Sequence, residues 1–230
     1  MSCIKRISIL LVLIVFMAPF VNLAQDNLTG YWNPQVALNY DVTSNYSHNF
    51  SIENRSFLYR DSDVQLTVRQ MDINHFSNLK TRDNQSVGFG IKYRIRNSFD
   101  NNANNELRLT QQFNATFKNG SIRYGNRFRT EQRITSDNTV HRFRYRFAAD
   151  FPLMGEKLDV GEPYLVISTE SLLSVGRSMT PEYDQRFTPK LGWVLTPTTK
   201  LQIGGEYRAE NYTGSTEYEL FLLTELVLSL

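Results

Sequence analysis

The sequence predicts an all-β fold, a single antiparallel transmembrane β-barrel, and three observations carry that expectation. Most of the chain alternates apolar and polar residues with a period of two. A leader-like segment precedes it. The last strand-like run ends in a nearly continuous apolar face. Segment 140–150, VHRFRYRFAAD, is the clearest case of alternation. His141, Phe143, Tyr145, Phe147 and Ala149 fall on one parity, and Arg142, Arg144, Arg146 and Asp150 on the other. A strand sends alternate side chains to opposite faces. One face of this segment is therefore aromatic and the other cationic, as expected where one side meets lipid and the other a polar lumen.

The first 24 residues read as a secretory signal peptide. Lys5 and Arg6 precede the apolar run ISILLVLIVFMAPFV, and Ala24 offers a small residue at the exit. Cleavage there leaves residues 25–230 as one barrel domain. It also removes Lys5 and Arg6, so the 25 basic residues of the whole chain fall to 23, against 23 acidic ones. The neutral balance gives no reason to expect nucleic acid as a partner, so an electrostatic function must come from the placement of charges. The only cysteine, Cys3, leaves with the signal. That excludes disulfides, thiolate metal sites and cysteine nucleophiles from the mature chain. No later apolar stretch approaches the roughly 18–20 residues of a membrane helix.

Eleven runs with strand patterning follow, at about 35–43, 48–59, 64–76, 85–96, 105–117, 121–133, 138–151, 162–173, 183–195, 199–210 and 217–230. In SVGFGIKYRI, for example, Val87, Phe89, Ile91, Tyr93 and Ile95 oppose Ser86, Gly88, Gly90, Lys92 and Arg94. Turn signals separate the runs: RDSD at 60–63, TRDN at 81–84, KNG at 118–120, TSDN at 135–138 and TPTT at 196–199. Longer polar connections fall at 97–105, 174–183 and 211–216. Bacterial single-chain barrels have even strand numbers, so the expectation is twelve strands, with ten as the alternative. A soluble periplasmic β-protein, with the apolar faces forming a core, is the competing fold.

In YELFLLTELVLSL, Tyr218, Leu220, Leu222, Leu226, Leu228 and Leu230 form one apolar face. Soluble proteins seldom leave such an edge exposed. Together with the Ala24-Gln25 exit, HRFRYRF followed by FPL at 151–153, and PYLVISTE at 163–170, this closing strand gives the chain its resemblance to a family. The chain resembles a family of small outer-membrane barrels of unknown function, found mainly in Bacteroidetes. The resemblance spans nearly the whole mature chain and implies a barrel in the outer membrane, without bringing an activity or binding residues.

With apolar parities facing outward, the inward residues can be named. A basic wall comprises Lys92, Arg94, Arg108, Arg123, Arg127, Arg129, Arg133, Arg142, Arg144 and Arg146, with Glu106, Glu131 and Asp150 among it. The later strands bring acidic partners, Glu170, Glu206, Glu210, Glu219 and Glu225, and further cations at Arg186, Lys190, Lys200 and Arg208. Two non-enzymatic functions follow: a structural barrel plugged by ion pairs, or a small channel whose arginines prefer anionic solutes. A binding protein and an enzyme with a rim active site are the alternatives. Outer-membrane lipid and small anionic solutes are the expected partners, and no cofactor or metal is expected. His48, His75 and His141 are scattered, and no GxSxG, HExxH or phosphate-loop motif occurs.

Overall fold

The structure, a computed structural model, describes residues 28–177 and 179–230. The expected signal peptide, residues 1–24, lies outside the described residues. The chain forms β1 (Leu28–Asp41), β2 (Tyr46–Arg60), β3 (Asp63–Arg82), β4 (Gln85–Ile95), β5 (Glu106–Asn119), β6 (Ile122–Ile134), β7 (Thr139–Pro152), β8 (Pro163–Gly176), β9 (Glu182–Thr196), β10 (Thr199–Glu210) and β11 (Glu217–Ser229). They make one closed barrel in sequential order, with β1 returning to β11.

Neither the expected twelve strands nor the alternative ten are found: the barrel has eleven. An even number follows only where the first and last strands run antiparallel. Here β1 and β11 run in the same direction, and their ladder is parallel from Leu28↔Tyr218 to Asn39↔Ser229. Every other ladder is antiparallel.

Two strands are longer than their apolar alternation foretells. β1 starts at Leu28 and passes through Pro34. The β1–β2 register runs from Trp32↔Ser56 to Gln35↔Glu53 without a partner for Pro34, so its missing N–H interrupts only that ladder. β3 continues to Arg82. The β2–β3 connection is a two-residue turn in which Asp61 and Ser62 both have positive φ, 52° and 64°. This is the type I′ geometry that matches strand twist.

The connections sort onto two mouths. One, the turn mouth, carries the short β1–β2, β3–β4, β5–β6 and β9–β10 turns and the longer β7–β8 connection, 153–162. The other, the loop mouth, carries the long β4–β5 connection, 96–105, and the β10–β11 connection, 211–216.

Parity carries polarity. Inward positions hold Asp72 at 0 % exposure and Glu106 and Glu131 at 2 %, while outward positions leave Ile52 55 % and Phe128 54 % exposed. The apolar faces therefore do not form a core. They are the outside of the cylinder, and the interior is polar.

The parallel seam is directly testable. Val36 and Leu226 are register partners across it. In the mature chain, Val36→Cys with Leu226→Cys should oxidise to an intramolecular disulfide, read as a mobility shift on a non-reducing gel. Val36→Cys with Leu222→Cys, offset by four positions or about 13 Å, should not. The reverse pattern would refute the eleven-strand closure.

Candidate functional site

The candidate site is the lumen, built by the inward parity of each strand. In β4, Gly88, Gly90, Lys92 and Arg94 share the inward face. In β5, Glu106, Arg108, Thr110 and Gln112 do. Arg127, Arg129, Glu131 and Arg133 follow in β6, and Arg142, Arg144 and Arg146 in β7. Cross-strand register sets like charges side by side: Arg129 opposes Arg144, Arg127 opposes Arg146, and Arg108 opposes Arg133. Directly opposed like charges destabilise a sheet, so carboxylates must intervene.

They do so at a few hubs. Glu131 receives Arg144 at 2.9 Å, Arg108 at 3.5 Å and Arg129 at 3.7 Å. Glu106 binds Arg133 in a fork, with Nη2 at 2.8 Å and Nε at 3.1 Å, and also pairs with Arg108. Asp72, on β3, takes a bidentate Arg94 at 2.7 and 2.8 Å and Lys92 at 3.0 Å. Glu170, on β8, takes Arg144 and, at 3.2 Å, Arg127. Forked guanidinium–carboxylate pairs are the strong, orienting kind.

Several bridges skip a strand and pass over the inward face of the one between. Arg142 on β7 reaches Asp184 on β9 at 3.7 Å, and its Nε donates to Ser174 at 2.9 Å. Lys190 on β9 reaches Glu225 on β11 at 2.8 Å, and Lys92 on β4 reaches Glu53 on β2 at 3.7 Å. Arg129 lies 5.2 Å over the ring of Phe76, from β6 to β3. Gly90 makes room for that ring, since a Cβ there would stand 2.4 Å from Phe76. At the loop mouth, burial and then the charge of Arg94 push the Arg96 guanidinium down to about 10, still charged at neutral pH.

The expected residues are thus brought together unevenly. Glu206 pairs with Arg208 of its own strand at 2.5 Å and accepts from Thr188 at 2.9 Å, apart from the β6–β7 arginines. Arg123 and Asp150 pair at 2.7 Å on the turn-mouth rim, where Arg123 is well exposed. Arg146 forms no hydrogen bond or ion pair among the described residues, and its Nε has no acceptor.

Sequence reasoning omitted Arg55, Arg69, Asp72 and Asp184. Asp184 was legible, because it sits on the polar parity of its strand, whereas Asp72 shares its parity with Val64, Leu66 and Val68. Arg69 was not legible either. A register shift at Arg55/Ser56 pairs Arg55 with Gln70 and Ser56 with Val68, leaving Arg69 as the extra residue of a bulge. A bulge re-aims side chains. Arg69 consequently reaches Tyr31 and, at 3.6 Å, Glu219, inside the barrel beside the buried Gln70. Arg55, Arg69 and Arg208 then pack on Tyr31 and Phe221, with Arg208 3.8 Å from the Phe221 centroid.

Catalytic geometry is weak. His48 and His75 meet at 3.0 Å on the outward face, and Ser77 lies 3.3 Å from His48. Both contacts use the same nitrogen, His48 Nδ1. A relay needs the nucleophile and the orienting group on different ring nitrogens, so this trio is not one. His141 is exposed on the outward face. No group of three or more metal-ligating side chains occurs among the described residues.

Fold and lumen together define a closed all-β barrel with a charged interior and an apolar exterior. The chain belongs to the family described as "Protein of unknown function (DUF2490)", whose model matches residues 29–219. No curated protein and no solved structure matches it.

The hub role of Glu131 has a measurable weight. Breaking a buried ion pair from one side costs about 3–5 kcal/mol. Glu131→Gln should therefore lower stability by about that amount in urea unfolding followed by Trp32 and Trp193 fluorescence. Asp61→Asn, at an exposed turn carboxylate paired with Arg60, should cost less than about 1 kcal/mol. Equal effects would remove Glu131 from the centre of the network.

Proposed function

We propose that this chain is a non-enzymatic integral barrel of a bacterial outer membrane, delivered by a cleaved signal peptide, with its lumen closed across the middle by ion pairs. The observation that carries this reading is the inversion of polarity. Asp72, Glu106 and Glu131 are almost fully buried inside, while Ile52 and Phe128 are more than half exposed outside. An aqueous protein rarely exposes so continuous an apolar surface, whereas lipid is its natural solvent. The Phe, Tyr, Leu and Ile side chains of the outward parities form the lipid-facing band.

Closure follows from the partner map. An open arginine ladder offers its guanidiniums to passing anions. Here Arg94, Arg108, Arg133, Arg142 and Arg144 are already bound to carboxylates from neighbouring and next-neighbouring strands. An eleven-strand cylinder is narrow, and side chains crossing it from both sides leave little continuous water.

A second reading, a narrow anion-preferring channel, draws on one specific observation: Glu170 serves both Arg127 and Arg144, and Arg146 has no carboxylate of its own. Planar-bilayer recording of the refolded barrel decides between the two readings. The closed reading expects no steady conductance from protein shown to be folded by its heat-dependent gel mobility. A steady current overturns it. Such a current should reverse on the anion side of a salt gradient, and Arg127→Glu with Arg144→Glu should reduce or invert that preference. Unchanged selectivity would acquit these two arginines.

A further inference from the structure

The two halves of the lumen differ. Toward the loop mouth, the Asp72, Glu106 and Glu131 hubs and the Arg55–Tyr31–Phe221 stack fill the interior. Toward the turn mouth, the inward residues of β6 and β7 shrink to Gly125 opposite Ala148. A Cβ at Gly125 would meet nothing within 4 Å, so β6 leaves space on its inward side there, while the Lys190–Glu225 pair and the Gln202–Tyr164 hydrogen bond occupy the β8–β11 side.

At the boundary between these halves, Arg127 and Arg146 stand directly opposite one another. Glu170 is the register partner of Arg146 on β8, yet both its oxygens are engaged, one by Arg144 and one by Arg127. Arg146 is therefore left without a carboxylate partner among the described residues. The Nε atoms of Arg127 and Arg146 are buried and donate to no acceptor, a condition shared with Arg96, Arg129, Arg144 and Arg186. What sets Arg146 apart from Arg127, Arg129, Arg144 and Arg186 is that each of those has a carboxylate partner. Buried donors in a native fold are normally satisfied, and two facing guanidiniums repel unless an anion lies between or beside them. Asn114, opposite Arg127 on β5, adds a neutral amide that donates to Ser86 at 3.1 Å.

From this we infer that Arg127 and Arg146 form a receptor for one oxyanion, the carboxylate or phosphate group of a small solute that enters by the turn mouth past Gly125 and Ala148. The planar fork of arginine presents paired N–H donors matched to such groups. The inference rests on the closed-lumen reading and deepens it: the space beside Gly125 becomes a blind pocket ending at the ion-pair plug, a place to hold an anion and not a path through.

Inorganic phosphate is the probe. The refolded barrel in zwitterionic detergent is titrated with phosphate, and with sodium chloride at matched ionic strength, while its thermal midpoint is followed. Phosphate should raise the midpoint saturably and chloride should not. Arg146→Gln should weaken the apparent Kd about tenfold or more, the loss of charge-assisted hydrogen bonds. Gly125→Leu, which fills the approach without touching either arginine's charge, should weaken it too. Arg60→Gln, an equal charge change on the opposite mouth, should leave the Kd as it was. No phosphate effect beyond that of chloride overturns the site, as does wild-type affinity in Arg146→Gln or in Gly125→Leu. Steady conductance of the same preparation would overturn closure alone and leave the phosphate titration to judge the site.

Discussion

A charged group withdrawn from water costs several kcal/mol unless an opposite charge or a set of donors meets it, and the interior of this barrel is made of such groups. Everything else in the fold is arranged around that constraint. The carboxylates of β5, β6 and β8 sit where two or three guanidiniums converge from more than one strand, and Asp72 of β3 takes the Arg94 guanidinium and the Lys92 ammonium of β4. The same constraint fixes register. A slip of one residue in β6 would send Arg127, Arg129, Glu131 and Arg133 outward and Phe128 inward, taking Arg133 from Glu106 and Arg127 from Glu170 at once. The ladder from Arg123↔Asp150 to Ile134↔Thr139 is accordingly unbroken.

Local irregularities serve the network. The bulge at Arg55/Ser56 lets Arg69 and Gln70 both contribute to the interior, where regular alternation would admit only one of them. Gly90 is a strand glycine, and strand glycines cost stability. Its return is the space that admits the Phe76 ring, which in turn supports Arg129 from three strands away. A missing side chain and a cation–π contact thus act together. They place a guanidinium from β6 against β3.

Much of this was legible in the sequence. Strand positions followed from period-two alternation, and the inward parity of β4 to β7 was readable because arginine marked it so plainly. The raw number of strand-like runs, eleven, also matches the barrel. The adjustment to twelve assumed antiparallel closure, and nothing in a linear pattern announces that the first and last strands will meet in parallel. β1 looked short because Pro34 interrupts its pattern, although a proline at a gap in one ladder leaves the other intact. The partner map was out of reach for a different reason. Which acid serves which arginine depends on the stagger that brings β8 within reach of β6, and on bulges that alternation cannot reveal. Hence Glu206 looked like a partner of the basic wall and is bound to Arg208. The shortage of carboxylate at Arg146 appears only when Glu170 is seen to be shared.

The parallel seam gives the cylinder a line of least resistance. Parallel ladders are slightly weaker per residue than antiparallel ones. The seam also joins segments almost the whole chain apart, as the Trp32 indole donating to Thr224 at 3.2 Å illustrates, so its closure carries the largest loop entropy of any ladder in the barrel. Assembly ends there and breathing begins there. The transient opening of backbone amides will concentrate along β1 and β11, while the charged hubs between β3 and β8 keep their half of the wall shut. A barrel held in this way parts along one side, like a sleeve, before it loosens anywhere else.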